Sequence, residues 1–231
     1  MWKVGKTVGI HDGHRERLKE QFRKQGLEGV PEHSVLEILL FYAIPGGDVN
    51  PVAHALMDRF GSLSGVLDAP MEELMRVDGV GKNTATLIKL VPQISRRYLM
   101  SREDAGVVLD STEKAGRYLL PRFYGEKDEA VYLVSLDAKL KVLNCTLLGR
   151  GTINSANVSI RKIVSTLLVD NASGAILSHN HTSGIALPST EDKETTKLIA
   201  DTLKKVDVKL IDHIIVADGD YVSLRDSGLL K

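Results

Sequence analysis

His179-Asn180-His181, with Ser189 and Asp192 further on, puts two imidazoles, a hydroxyl and a carboxylate within fourteen positions. The spacing is H-x-H, seven residues, S, two residues, D. The histidines directly follow the apolar run Gly174-Ala175-Ile176-Leu177, which reads as a short buried strand. Residues two apart on a strand point to the same side, so both imidazoles can converge on one point. Asp192 falls at the start of a helix, brought back by the loop from Thr182 to Pro188. Two imidazole nitrogens and one carboxylate oxygen make a three-ligand set for zinc and leave a fourth position for water. That open position separates a catalytic zinc from a closed structural one. Such an ion polarises a carbonyl and acidifies its water to a pKa of roughly 7.

Other readings of the same letters stay open at this level. Ser189-Thr190-Glu191-Asp192 also matches a helix capping box, with Ser189 as N-cap and the acid three positions on. An H-x-H pair at a strand end can be merely polar and exposed. An HNH nuclease signature is excluded, because its residues spread over a longer segment. His213 reads as a core or strand-edge histidine, with a further metal or proton-transfer residue as the alternative, and Asp212 beside it is a candidate to orient a neighbour. His11 and His14 have helical metal-pair spacing but no third ligand nearby. Cys145, the one cysteine, sits in an apolar strand and reads as buried and inert.

The elements that must position these groups change character along the chain. Up to about residue 100, apolar residues recur at helical spacing (Val35, Leu36, Leu39, Leu40; Val52, Leu56, Phe60). Breaks fall at Pro45-Gly46-Gly47, Gly61, Pro70 and Gly79-Val80-Gly81. The polar stretch from Ser101 to Gly106 then separates two regions, 1–105 and 106–231. Beyond it, Ala130 to Leu136 and Val142 to Leu148 read as strands joined by a turn at Asp137-Ala138-Lys139. Ile160 to Leu168 and Asp192 to Val206 have helical spacing, and Ile211 to Val216 with Tyr221 to Leu224 form a terminal hairpin. Strands and helices mix without a strict βαβ beat, which predicts an α+β fold.

Composition narrows the function. The 30 basic and 30 acidic residues cancel, and each region is balanced within itself, with fourteen of each sign before residue 106. Bulk charge therefore does not hold this chain on nucleic acid. Aromatics at 5% disfavour a stacking platform for single strands. One cysteine excludes a disulfide framework and suits a reducing compartment. The first residues carry no apolar signal core, and Val35 to Ile44 is too short to span a bilayer. A cytoplasmic protein without a membrane partner is expected.

In the first region, Val77-Asp78-Gly79-Val80-Gly81-Lys82 resembles a helix-hairpin-helix motif. Glycines permit the tight turn and present backbone N–H groups at the start of the second helix, where a phosphate can bind. Gly79, Gly81 and Lys82 are the candidate DNA contacts, weak and without sequence preference. A plain tight turn accounts for the same residues.

The run HNHTSGIALPSTED resembles the metal-binding motif of the JAMM (MPN-domain) metalloprotease superfamily. Gly149 to Asn154 and Asp212-His213-Ile214-Ile215-Val216 resemble the RadC family specifically, and His11 to Leu18 with Phe60 to Leu63 extend the likeness to nearly the whole chain. The resemblance implies a helical helix-hairpin-helix module over 1–105 and a JAMM/MPN-like (cytidine-deaminase-like) mixed-sheet α/β domain over 106–231. It implies one zinc per chain on His179, His181 and Asp192, with Ser189 stabilising an oxyanion. The superfamily's proton-shuttling glutamate, outside the ligand set, matches Glu129, with Asp128 as a neighbouring rival. The implied activity is hydrolysis of a peptide, amide or isopeptide bond; the alternative is a DNA-associated repair accessory whose metal site is structural or vestigial. Two positions depart from the RadC pattern: Thr182 replaces a usual proline, and Ile160-Arg161-Lys162 replaces Pro-Arg-Glu.

Overall fold

The computed structural model describes residues 13–101, 106–151 and 159–230. His11, most of the Ser101–Gly106 stretch, and Thr152-Ile153-Asn154 lie outside the described residues. By its internal contacts the chain divides into two compact units, 1–94 and 95–231.

Every regular element among the first unit's described residues is a helix. Its helices are α1 (His14–Gln25), α2 (Glu32–Ala43), α3 (Asn50–Phe60), α4 (Leu63–Asp68), α5 (Met71–Leu74) and the first part of α6 (Lys82–Ser101). Leu36, Leu40, Ala53, Leu56, Val66, Leu74 and Ile88 form its core, all with no solvent exposure. Burying each leucine or isoleucine contributes about 1.5–3 kcal/mol, which is what closes so short a set of helices on one another. Arg15 ties α1 to the end of α2 by donating to the carbonyls of Phe41 and Ile44. His14 lends its imidazole to the buried Glu37 at 3.0 Å, a structural contact rather than half of a metal pair.

In the second unit, α7 (Thr112–Phe123) precedes β1 (Ala130–Leu136) and β2 (Val142–Arg150). Then follow α8 (Ile160–Val169), β3 (Gly174–Asn180), α9 (Thr190–Lys204), β4 (Lys209–Ala217) and β5 (Asp220–Ser223). The five strands form one mixed sheet in the order β2-β1-β3-β4-β5. β1 pairs antiparallel with both β2 and β3; β3 and β4 run parallel, with α9 in the crossover, and β5 returns as a hairpin. The turn between β1 and β2 is held by Asp137, whose carboxylate accepts from the N–H groups of Lys139 and Lys141.

Alternation along the strands sends side chains to two separate cores. Tyr132, Val134, Ile176 and Ile214 pack against α7 on one face. Val131, Leu133, Ala175 and Leu177 pack with Ile163 and Leu167 of α8 and Ile199 and Leu203 of α9 on the other. This is the expected α+β layer. One expectation needs extending: β3 does not end with the apolar run at Leu177 but continues to Asn180. Strands on both sides carry it on, since Val131 pairs with His179 and Val216 with Asn180. Likewise α9 begins at Thr190, two residues before the apolar pattern starts, because Ser189 caps it.

Candidate metal centre

His179 follows Ala175 and Leu177 in the two-residue alternation of β3, so its ring emerges on the α8/α9 face. The N–H of His181 donates to the Val216 carbonyl at 2.8 Å, carrying the ladder one bond beyond the strand. The second imidazole thus keeps the direction of the first. The loop then reverses through Gly184, whose φ of +78° suits glycine and where a Cβ would meet an Asp218 carboxylate oxygen at 2.7 Å. It delivers Asp192 in the first turn of α9.

The three side chains meet. His179 Nε2 lies 3.0 Å from His181 Nε2 and 3.1 Å from Asp192 Oδ1, and His181 Nε2 is 3.3 Å from Asp192 Oδ2. Four ligands at zinc bond lengths of roughly 2.0–2.1 Å are separated by about 3.3–3.4 Å, close to the separation of the two nitrogens and of His179 from Asp192 Oδ1. His179 is 2% exposed and Asp192 8%. Among the described residues this is the one group of three or more His, Cys, Asp or Glu placed to hold a metal ion.

Hydrogen bonds fix which atoms face the centre. His181 Nδ1 lies 3.1 Å from the Ile185 carbonyl, which can only accept, so Nε2 is the bare nitrogen. Asp192 Oδ2 accepts from both the N–H and the hydroxyl of Ser189, at 2.8 and 2.6 Å. Oδ1 is left for a cation. Burial opposes ionisation of Asp192, yet the neighbouring His179 imidazole and the bonds from Ser189 outweigh it and hold the carboxyl below the usual carboxylate range. The site therefore keeps its anionic donor at any neutral pH.

Glu129 immediately precedes β1. The β1–β3 ladder runs as far as Val131 against His179, so Glu129 stands two residues before the partner of a site histidine. Asn180, pointing away from the histidines, brackets it: its Oδ1 accepts from the Ala130 N–H at 2.7 Å and its Nδ2 donates to the Asp128 carbonyl at 3.2 Å. Ile160-Arg161-Lys162 form the first turn of α8, where Lys162 Nζ donates to the Leu148 carbonyl on β2.

His213 is the residue that reading the chain undervalued. It is 2% exposed, with Nε2 2.8 Å from His179 Nδ1 and Nδ1 2.5 Å from Thr196 Oγ1. Burial, then the neighbouring His179, holds it well below the usual histidine pKa, so it is neutral. Only the parallel β3–β4 pairing, which puts His213 beside Leu177, makes this contact. The one trace of it in the sequence is a polar pair, Asp212-His213, inside an otherwise apolar strand. Asp212 holds its neighbours through backbone and hydroxyl groups. Its carboxylate accepts from the Ser223 hydroxyl and the N–H groups of Arg225 and His213, securing the C-terminal turn. Cys145 is only partly covered; burial still pushes its thiol pKa up, consistent with an unreactive group.

In the first unit, Gly79 (φ +84°), Gly81 and Lys82 are exposed in the turn between α5 and α6. Lys82 opens a 20-residue helix. No helix among the described residues is long and apolar enough to cross a membrane.

A mixed sheet between helices, with two histidines at the end of a central strand and an aspartate at the following helix start, defines a JAB-type α+β domain. Residues 109–229 match the RadC-like JAB domain family. The chain belongs to that RadC family. Its relatives include a UPF0758 protein of Fusobacterium nucleatum, 33% identical over 95% of this chain and 98% of its own length. Another, from Methylibium petroleiphilum, is 37% identical over 93% and 96%.

Proposed function

We propose that this chain is a zinc-dependent hydrolase that cleaves a peptide, amide or isopeptide bond, working in a reducing cytoplasm. The observation that carries the reading is the spacing of the His179, His181 and Asp192 donor atoms at 3.0–3.3 Å. Zinc held by these three would polarise the scissile carbonyl and make water nucleophilic near neutral pH. Glu129 takes the proton of the attacking water and passes it to the leaving amine. Its place two residues before Val131, the partner of His179 in the β1–β3 ladder, supports this, and general acid–base help of this kind is worth about 10²–10⁴ in rate. Ser189 steadies the oxyanion of the tetrahedral intermediate by turning its hydroxyl from Asp192 toward the substrate. Lys162 is occupied at the Leu148 carbonyl and takes no part.

A screen of peptide, isopeptide and DNA substrates, comparing the intact protein with Glu129→Gln, tests the proposal. Glu129→Gln should keep its zinc and lose turnover by at least a hundredfold. Equal turnover in both proteins, or none in either, defeats it.

A second reading, an accessory protein on DNA, is favoured by the exposed glycine turn that opens α6 with Lys82. There backbone N–H groups and one ammonium would meet a phosphate. Binding of the full chain to duplex DNA should then be weak, insensitive to sequence and reduced by salt and by Lys82→Glu. No binding at low salt removes this reading.

A further inference from the structure

The direction of the bonds around His213 is set by where the Thr196 hydroxyl sends its one proton. Thr196 lies four residues beyond Asp192 on α9, and its hydroxyl donates to the Asp192 carbonyl at 2.6 Å. A hydroxyl has a single proton. Toward His213 Nδ1, 2.5 Å away, Thr196 Oγ1 can therefore only accept. His213 Nδ1 carries the hydrogen, and in the neutral ring Nε2 is a lone pair. His179 Nδ1, 2.8 Å from that lone pair, must donate to it. With its hydrogen on Nδ1, His179 presents a bare Nε2 to His181 and Asp192.

From this chain we infer that Thr196 and His213 are positioning residues that lock His179 in its metal-binding tautomer, an inference that rests on the metal reading above. A helix backbone carbonyl is the origin of the order, because it accepts and never donates. The relay runs from the Asp192 carbonyl through Thr196 and His213 to His179, and ends on the same cluster that the Asp192 side chain completes. One residue of α9 thus supplies a ligand with its carboxylate and prepares another through its backbone. If Thr196 turned its proton toward His213 instead, the relay would reverse. His179 would then hold a hydrogen on Nε2, aimed at Asp192, which a cation must first displace. As assigned, the two bare imidazole nitrogens face each other at 3.0 Å and each faces a different Asp192 oxygen at 3.1 or 3.3 Å, an arrangement that is stable around a positive charge.

The test uses the full chain and two readouts. Zinc affinity, measured by chelator competition, should fall about 10- to 100-fold in His213→Leu and in Thr196→Val. His213→Gln should recover most of the loss, because its amide can accept from His179 and donate to Thr196. Long-range proton–nitrogen spectra of histidine-labelled wild type should place the His213 hydrogen on Nδ1, with and without zinc. A folded His213→Leu or Thr196→Val that binds zinc as tightly as wild type overturns the inference, as does a His213 hydrogen on Nε2. Should His213→Leu fail to fold, Thr196→Val carries the test alone. Wild type that takes up no zinc defeats the metal reading instead, and the tautomer spectrum still judges the relay.

Discussion

Ser189 and Asp192 bind each other in both directions. The Ser189 hydroxyl accepts the Asp192 N–H at 3.0 Å, while Asp192 Oδ2 accepts the Ser189 N–H at 2.8 Å. The capping box of α9 and the carboxylate arm of the metal centre are the same four residues. Capping and ligation share the carboxylate: the cap uses Oδ2, which also lies 3.3 Å from His181 Nε2, while Oδ1 lies outside the cap, toward His179. Ser189→Ala should therefore cost about 1 kcal/mol of stability through the lost cap. It should also weaken zinc binding by loosening the carboxylate. Thermal melts and chelator competition on the same preparation measure both, and a change in neither would separate the cap from the site.

Removing ligands should have a sharper signature. Purified protein should hold one zinc per chain, and His179→Ala combined with His181→Ala should hold essentially none by elemental analysis. Asp192→Asn keeps an oxygen that can accept from Ser189 but loses the charge, so zinc should drop well below stoichiometry while α9 persists by circular dichroism.

Asn180 sits between the two ligand histidines yet serves the other side of the strand. Asn180→Ala orphans the buried Ala130 N–H and the Asp128 carbonyl. That should cost about 1–3 kcal/mol. Zinc content should hold, because neither bond reaches the cluster, whereas turnover should fall as Glu129 loses its two flanking anchors. Loss of zinc in a folded Asn180→Ala would contradict this division of labour.

Glu126 makes a pH-dependent contribution. Hydrogen bonds from Arg150, opposed by burial and reinforced by Arg96, hold its pKa below the ordinary glutamate value. A depressed carboxylate stabilises the fold above its unfolded pKa, and the contribution fades as pH falls through the folded value. Glu126→Gln should thus be less stable at pH 7 by about 1 kcal/mol, after allowing for screening by solvent. The two denaturation midpoints should converge as pH drops below about 4. A gap that persists there would point to packing instead.

The sequence by itself determined the elements and most of the donor set. Two-residue alternation set His179 and His181 on one side of a strand, and a capping box placed Asp192 at a helix start; both are local rules acting over a few residues. Alternation also separated the two cores, since Tyr132 and Leu133 must face opposite ways. The tertiary structure alone decided what lies behind the ligands. His213 reaches His179 across 34 residues through a parallel pairing, and Asn180 reaches Asp128 across 52. No periodicity encodes such contacts. Register between distant strands arises from the summed packing of both faces, so a histidine that looked like core filling comes to lie 2.8 Å from a candidate ligand.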